Sequence, residues 1–179
     1  KNYPKPYLKK IPLQLVLCQK CSLVQLLHTT NKEILYKNYW YESGINKTMR
    51  MHLKDLVSNL CSIKKHEIKK IKVLDIGCND GTLLNFYPKT VEKFGIDPSQ
   101  ITKKIDRKKI KVIKDFFPPR KNNLRNINVK FDLITSIAMF YDLESPGSFV
   151  KSIYEILADD GVWHFEQSYM PAMLRTNSY

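Results

Sequence analysis

From Ile71 onward, short apolar runs alternate with stretches of helical period. Ile71 to Ile76, Phe94 to Ile96, Lys111 to Ile113, Phe131 to Ser136 and Val162 to Glu166 read as strands, and Lys72-Val73-Leu74-Asp75-Ile76 lacks the polar alternation of a half-exposed one. Gly81 to Phe86, Gln100 to Lys104 and Phe149 to Leu157 read as helices between them, the last with Phe149, Ile153, Ile156 and Leu157 on one side. Unalternating strands separated by helices predict an α/β fold with a doubly wound, mainly parallel, Rossmann-like sheet covered on both faces. Ligands of such sheets bind beyond the carboxyl ends of the strands.

Upstream, Met49, Leu53, Leu56, Val57 and Leu60 recur at three- and four-residue steps without Pro or Gly, which predicts a helix with one apolar face. The aromatic cluster Tyr39-Trp40-Tyr41 and the turn signal Ser43-Gly44 precede it. Earlier still, Pro12 to Leu17 and Ser22 to Leu26 are β-prone runs around Cys18-Gln19-Lys20-Cys21, the layout of a knuckle that projects two thiolates from one hairpin. One knuckle is half of a tetrahedral zinc site. Cys61 and Cys78 are isolated, so either a partner pair lies upstream of Lys1 or these cysteines fill space in a hairpin. The organisation expected is a partial zinc-binding, substrate-side segment at 1–45 and a larger domain at 46–179.

Composition narrows the class. With 179 residues, 43% of them hydrophobic, the chain suits one globular domain with a core and a small appendage. Its net charge of +13 would suit a phosphate-bearing substrate. The lysines of the runs Lys64, Lys65, Lys69, Lys70, Lys72 and Lys103, Lys104, Lys108, Lys109, Lys111 have no aromatic residues interleaved, so they read as a solvated surface and not as a nucleic-acid platform. No apolar run approaches the roughly 18 residues of a membrane span. Four cysteines make no disulfide framework, so the expected setting is soluble and cytoplasmic, with neither membrane nor nucleic acid as partner.

The stretch richest in chemistry is Asp75-Ile76-Gly77-Cys78-Asn79-Asp80-Gly81, where a buried strand runs into a glycine-bounded turn and a helix. Gly77 lets a ligand approach the backbone and Gly81 lets the helix pack closely on the strand. Asn79 stands where a dinucleotide fingerprint has its middle glycine, and Asp75 and Asp80 would repel a pyrophosphate while attracting a cationic group such as a sulfonium. S-adenosylmethionine fits. Asp97-Pro98 ends the next strand at about the 20-residue spacing of a ribose-binding acid. Asp115 and Phe116 follow the third strand, where an adenine would lie, and Ser136 and Ile137 end the fourth beside the methyl group. Each acid alone reads as a cap or turn residue, but three at the ends of successive strands form a joint signal.

These motifs resemble class I S-adenosylmethionine-dependent methyltransferases. Within that class, Cys18 to Leu26, Tyr39-Trp40-Tyr41-Glu42-Ser43-Gly44, Asp115-Phe116-Phe117 and Gly161 to Gln167 resemble the C-methyltransferases of nucleotide-diphosphate-linked keto-hexoses. The resemblance implies a structural zinc held in half by Cys18 and Cys21, a catalytic tyrosine at Tyr41, and further proton-transfer residues in a His-containing stretch beyond Tyr179. It also implies two more sheet strands after Glu166, so the chain is expected to be an internal fragment that binds cofactor weakly and does not turn over alone. Glu166, in the last strand, is assigned to the substrate side as a second catalytic candidate. His28, His52, His66 and His164 read as ordinary packing residues. The rival readings are a methyltransferase of RNA, protein or another small molecule, a non-catalytic module with the same fold, and an NAD-dependent enzyme, the last disfavoured by Asn79.

Overall fold

The computed structural model describes residues 11–64, 71–119 and 129–177. Residues 1–10 of the expected first segment, together with Lys65, His66, Lys69, Lys70, Ser178 and Tyr179, lie outside the described residues. The chain divides into two compact units, Lys1–Asn38 and Tyr39–Tyr179, a boundary seven residues before the expected one.

In the first unit, β1 (Leu15–Leu17) and β2 (Val24–Leu26) pair antiparallel, Val16 opposite Gln25. The Cys18 amide donates to the Leu23 carbonyl and the Ser22 amide to the Cys18 carbonyl, each at 2.9 Å, which closes the turn that carries both cysteines. A short helix follows, α1 (Lys32–Tyr36), capped by the Asn31 side chain.

The second unit contains α2 (Lys47–Ile63), β3 (Lys72–Ile76), α3 (Thr82–Phe86), β4 (Glu92–Ile96), β5 (Lys111–Ile113), β6 (Phe131–Ile137), α4 (Pro146–Ile156), β7 (Leu157–Glu166) and α5 (Met170–Thr176). Gln100–Lys104, read as a helix, forms a 3-10 helix with those bounds, and Phe140–Asp142 forms another. The five strands make one parallel sheet in the order β5-β4-β3-β6-β7. This is the doubly wound arrangement anticipated, since the strand order reverses at β3 and β6 and leaves a crevice at their carboxyl ends.

Two apolar cores hold the layers. Leu53, Leu56, Val57 and Leu60 of α2 and Leu83 and Leu84 after the β3 turn pack with Val73 and Leu133 on one face of the sheet. Phe149, Ile153 and Ile156 of α4 pack with Leu74, Ile76, Phe94, Phe131 and Ile134 on the other. Adjacent strand residues contribute to opposite cores because β side chains alternate, so Val73 faces α2 and Leu74 faces α4. β7 starts five residues earlier than expected: Phe131 pairs with Leu157, the register shifts, and Leu133 then pairs with Val162. Asp159, Asp160 and Gly161, outside the expected strand, occupy that irregular stretch, and Asp160 pairs with Lys64 at the end of α2. Among the described residues no helix is long and apolar enough to cross a membrane.

Candidate functional site

The turn after β3 is built for close approach. Gly77 is left-handed (φ +78°) and exposed, and a Cβ placed on it would touch only the Met139 side chain, at 3.6 Å or more. The amides of Gly77 and Cys78 both donate to the Ile96 carbonyl, at 2.8 and 3.2 Å, so the turn is tied to the end of β4.

Asp97 stands at that same junction. One carboxylate oxygen accepts from the Asn79 amide at 3.0 Å and the other from the Ser99 amide at 2.8 Å, across the intervening Pro98. Two of roughly four lone-pair sites are thereby used, and a vicinal diol can be met by those left. Asp115, at the end of β5, accepts from the Phe116 amide at 2.8 Å and is half-buried.

Asn79 and Asp80 have a role that spacing did not reveal. Asn79, left-handed at φ +52°, accepts from the Ser43 amide at 3.1 Å and donates its Nδ2 to the Tyr41 carbonyl at 2.8 Å. Asp80 accepts from the Thr82 amide at the start of α3 (3.0 Å) and from the Gly44 amide (2.8 Å). A Cβ on Gly44 would stand 2.7 Å from Thr82 Oγ1 and 2.8 Å from Asp80 Oδ2, so a larger residue there would have to displace those side chains. Glu42 pairs with Lys104 at 2.6 Å. The segment bearing Tyr41 is therefore clasped to the β3 turn and to the 3-10 helix after β4. Asn79 is a clasp, which is why a glycine would not serve at this position.

Tyr39, of the aromatic cluster before α2, and Tyr141, after β6, belong to the same neighbourhood. Burial, and then the nearness of Tyr41, Asp142 and Asp97, raises the Tyr39 hydroxyl above its usual range. Tyr141 is raised by burial, then by Asp142 and Tyr39.

The remaining candidates divide between the crevice and the core. Asp75 is buried, accepts from the Thr135 hydroxyl at 2.6 Å and is pushed up to about 7 by desolvation, so its charge at neutral pH is only partial. The Cys78 thiol turns into the core, where burial raises it well above its ordinary value. Gly81 caps α3 with φ +77°, Ser136 Oγ is buried and accepts from the Trp163 indole at 3.0 Å, and Ile137 packs against the core on the α2 face. At the end of β7, Glu166 accepts from His52 of α2 at 2.7 Å and lies 3.3 Å from His164, a pair of histidines that lone-residue reasoning had set aside.

Cys18 and Cys21 share the turn between β1 and β2. Hydrogen bonds from the Cys21 amide, and then the Lys20 amide, lower the Cys18 thiol below its ordinary value. Among the described residues no group of three or more His, Cys, Asp or Glu stands together as a metal site, so two ligands are all these residues offer.

Residues 45–176 match the family described as "Methyltransferase domain". The C-methyltransferase NovU of Streptomyces niveus is 22% identical over 174 residues, which are 94% of this chain and 40% of that protein; the chain thus spans well under half of its curated relative. The plantazolicin methyltransferase BpumL, solved with a pentazolic desmethylPZN analog and SAH, superposes with a TM-score of 0.58 at 18% identity over 74% of this chain and 52% of its own. Coclaurine N-methyltransferase, bound to N-methylheliamine and SAH, gives 0.55 at 18% identity over 74% of this chain and 39% of its own. Both share the fold of the second unit. With an open glycine turn, a strand-end acid and a family match over most of its length, the chain belongs to the methyltransferase-domain family.

Proposed function

We propose that the crevice at the carboxyl ends of β3, β4, β5 and β6 binds S-adenosylmethionine, and that the protein methylates a carbon beside the ketone of a nucleotide-diphosphate-linked keto-hexose. The observation that carries the cofactor is the pairing of the bare Gly77 backbone with Asp97, whose carboxylate keeps acceptor capacity for two ribose hydroxyls. Gly77 to Gly81 would border the amino-acid moiety, Asp115 and Phe116 the adenine, and the backbone of Ser136 and Ile137 the methyl group. When bound, the cofactor supplies an electrophilic methyl on sulfonium sulfur.

The chain's own residues do the rest. Tyr41, held through its carbonyl by Asn79, is the candidate donor to the oxygen of an enolate, and Glu166 is the acceptor-side acid at the end of β7. A carbon beside a ketone is nucleophilic only after it loses a proton, so residues of this kind are what such an acceptor requires. The net charge of +13 suits a diphosphate, and the similarity to a C-methyltransferase favours carbon as the acceptor atom. Zinc belongs to the same reading, with Cys18 and Cys21 as half of its ligands. Incubation of the full-length protein with S-adenosylmethionine and a panel of uridine- and thymidine-diphosphate 4-keto-hexoses should yield a product one methyl heavier, read by mass spectrometry. Methylation of an amine or peptide but of no keto-sugar would overturn the acceptor assignment.

A further inference from the structure

Asn79 stands between the acid assigned to the ribose and the tyrosine assigned to the acceptor. Its backbone amide donates to one oxygen of Asp97 at 3.0 Å. Its side chain holds residues 41–44: Oδ1 accepts from the Ser43 amide at 3.1 Å, and Nδ2 donates to the Tyr41 carbonyl at 2.8 Å. Oδ1 also accepts from the Asp80 amide at 2.9 Å, and the Asp80 carboxylate in turn takes the Gly44 amide. Asn79 and Asp97 are both buried, which shields these bonds from competing water. A second tie comes from the other side of the same carboxylate. The remaining Asp97 oxygen accepts from the Ser99 amide, Ser99 leads into the 3-10 helix Gln100–Lys104, and Lys104 pairs with Glu42. Residues 41–44 are thus fastened to both elements that hold Asp97. They belong to no helix or strand and are half-buried throughout, and chain of this kind opens locally at low cost unless its ties hold it.

We propose, resting on the cofactor reading above, that Asn79 is a positioning residue through which bound cofactor fixes the strap of residues 41–44 and, with it, the acceptor-side Tyr41. Ribose hydroxyls that donate to Asp97 add restraints to a carboxylate the Asn79 and Ser99 amides already hold. Residue 79 then presents its side chain to Ser43 and Tyr41 from a fixed backbone, and the strap opens less often. The coupling is reciprocal, so a closed strap also holds the cofactor more tightly. Asparagine suits both tasks. It tolerates the left-handed φ of +52° found here, and its amide group carries a donor and an acceptor together. Glycine would give the same turn without the tie. The arrangement also serves the chemistry, because an enolate formed before the methyl donor is in place would only be reprotonated. Cofactor binding completes the acceptor side.

Amide hydrogen exchange of the full-length protein, read by nuclear magnetic resonance at Ser43 and Gly44, tests this without any acceptor. Saturating S-adenosylhomocysteine should slow exchange at both amides about tenfold or more, within the usual range of coupling between sites. Asn79→Gly keeps the left-handed turn and the amide that donates to Asp97, so it should still bind S-adenosylhomocysteine, weakened by no more than about the same factor. In that variant both amides should exchange faster, and the ligand should no longer slow them. Gly44→Ala disturbs the strap from the Asp80 side and leaves Asn79 and Asp97 in place; it should likewise remove the response at Ser43. A clasp of purely structural role would protect these amides equally with and without ligand. That result overturns the proposal and leaves the cofactor reading standing, as does slowing by ligand that survives in Asn79→Gly. Absence of S-adenosylhomocysteine binding by the folded, unsubstituted protein overturns the cofactor reading and this proposal with it.

Discussion

Replacing Gly95 with alanine should destabilise the sheet by about 2–3 kcal/mol, at the upper end of what overpacking a tight core costs. Gly95 lies inside β4 between Asp75 of β3 and Val112 of β5, so the backbone on both sides is fixed by ladder hydrogen bonds. A Cβ there would stand 2.6 Å from Cys78 Sγ, 3.0 Å from Cys78 Cβ and 3.2 Å from a Leu84 methyl. The thiol of the β3 turn rests on this glycine, and that contact holds the turn down onto β4. Denaturant unfolding measures the loss, and Cys78→Ala in the same chain should recover part of it by removing the closest atom. Equal stability of Gly95→Ala and the parent would mean that Cys78 does not pack there.

A second large effect is expected at Asp75, and it depends on pH. The group titrates at about 7 in the folded protein against an ordinary value of 3.8, because desolvation outweighs the hydrogen bond from Thr135. Between those values the folded state binds more proton than the unfolded state, so its contribution to stability falls as pH rises from about 4 to 7. The full penalty, about 4 kcal/mol as an upper figure, is in place above pH 7 and absent below about 4. Asp75→Asn has no such titration. Its amide must still find partners, a cost that is the same at every pH, so the informative quantity is the change in the stability difference between pH 4 and pH 8. That difference should move in favour of the variant as pH rises. A difference independent of pH would contradict the assignment of a raised Asp75.

The fold was legible where hydrophobicity carried it. Val73-Leu74 and Ile134 sit in strands buried on both faces, and such strands leave uninterrupted apolar runs. The α2 stripe was equally plain, since Leu53, Leu56, Val57 and Leu60 are all buried. The start of β7 was not, because Asp159 and Asp160 interrupt the apolar run while the backbone there continues the strand through a register shift. Nor was α5, which buries no residue and so leaves no amphipathic trace.

At the site, glycines and strand-end acids were legible because their chemistry is local: Gly77 needs a left-handed backbone and Asp97 follows its strand directly. The partnerships were not. Asn79 was read as a missing glycine, yet it holds Ser43 and Tyr41, which are 36 and 38 residues away. Cys78 and Ser136 occupy positions that look like ligand-facing turn residues, and their side chains are spent on packing and on the Trp163 indole. The His52 and Glu166 pair spans 114 residues, so only the packing of α2 on β7 brings it together.

The cofactor crevice is the centre of this account, and calorimetric titration of the folded protein with S-adenosylhomocysteine tests it most directly, beside an Asp97→Ala variant. Asp97→Ala removes hydroxyl acceptors and also unpairs the amides of Asn79 and Ser99. Hydrogen bonds to a charged group contribute roughly 1.5–3 kcal/mol each, so losing two should weaken binding by about 100-fold or more. The expected result is saturable binding at one site per chain that falls below detection in the variant. Absence of binding to the folded protein, or binding of equal strength in the variant, would contradict a ribose-binding Asp97 beside an open Gly77.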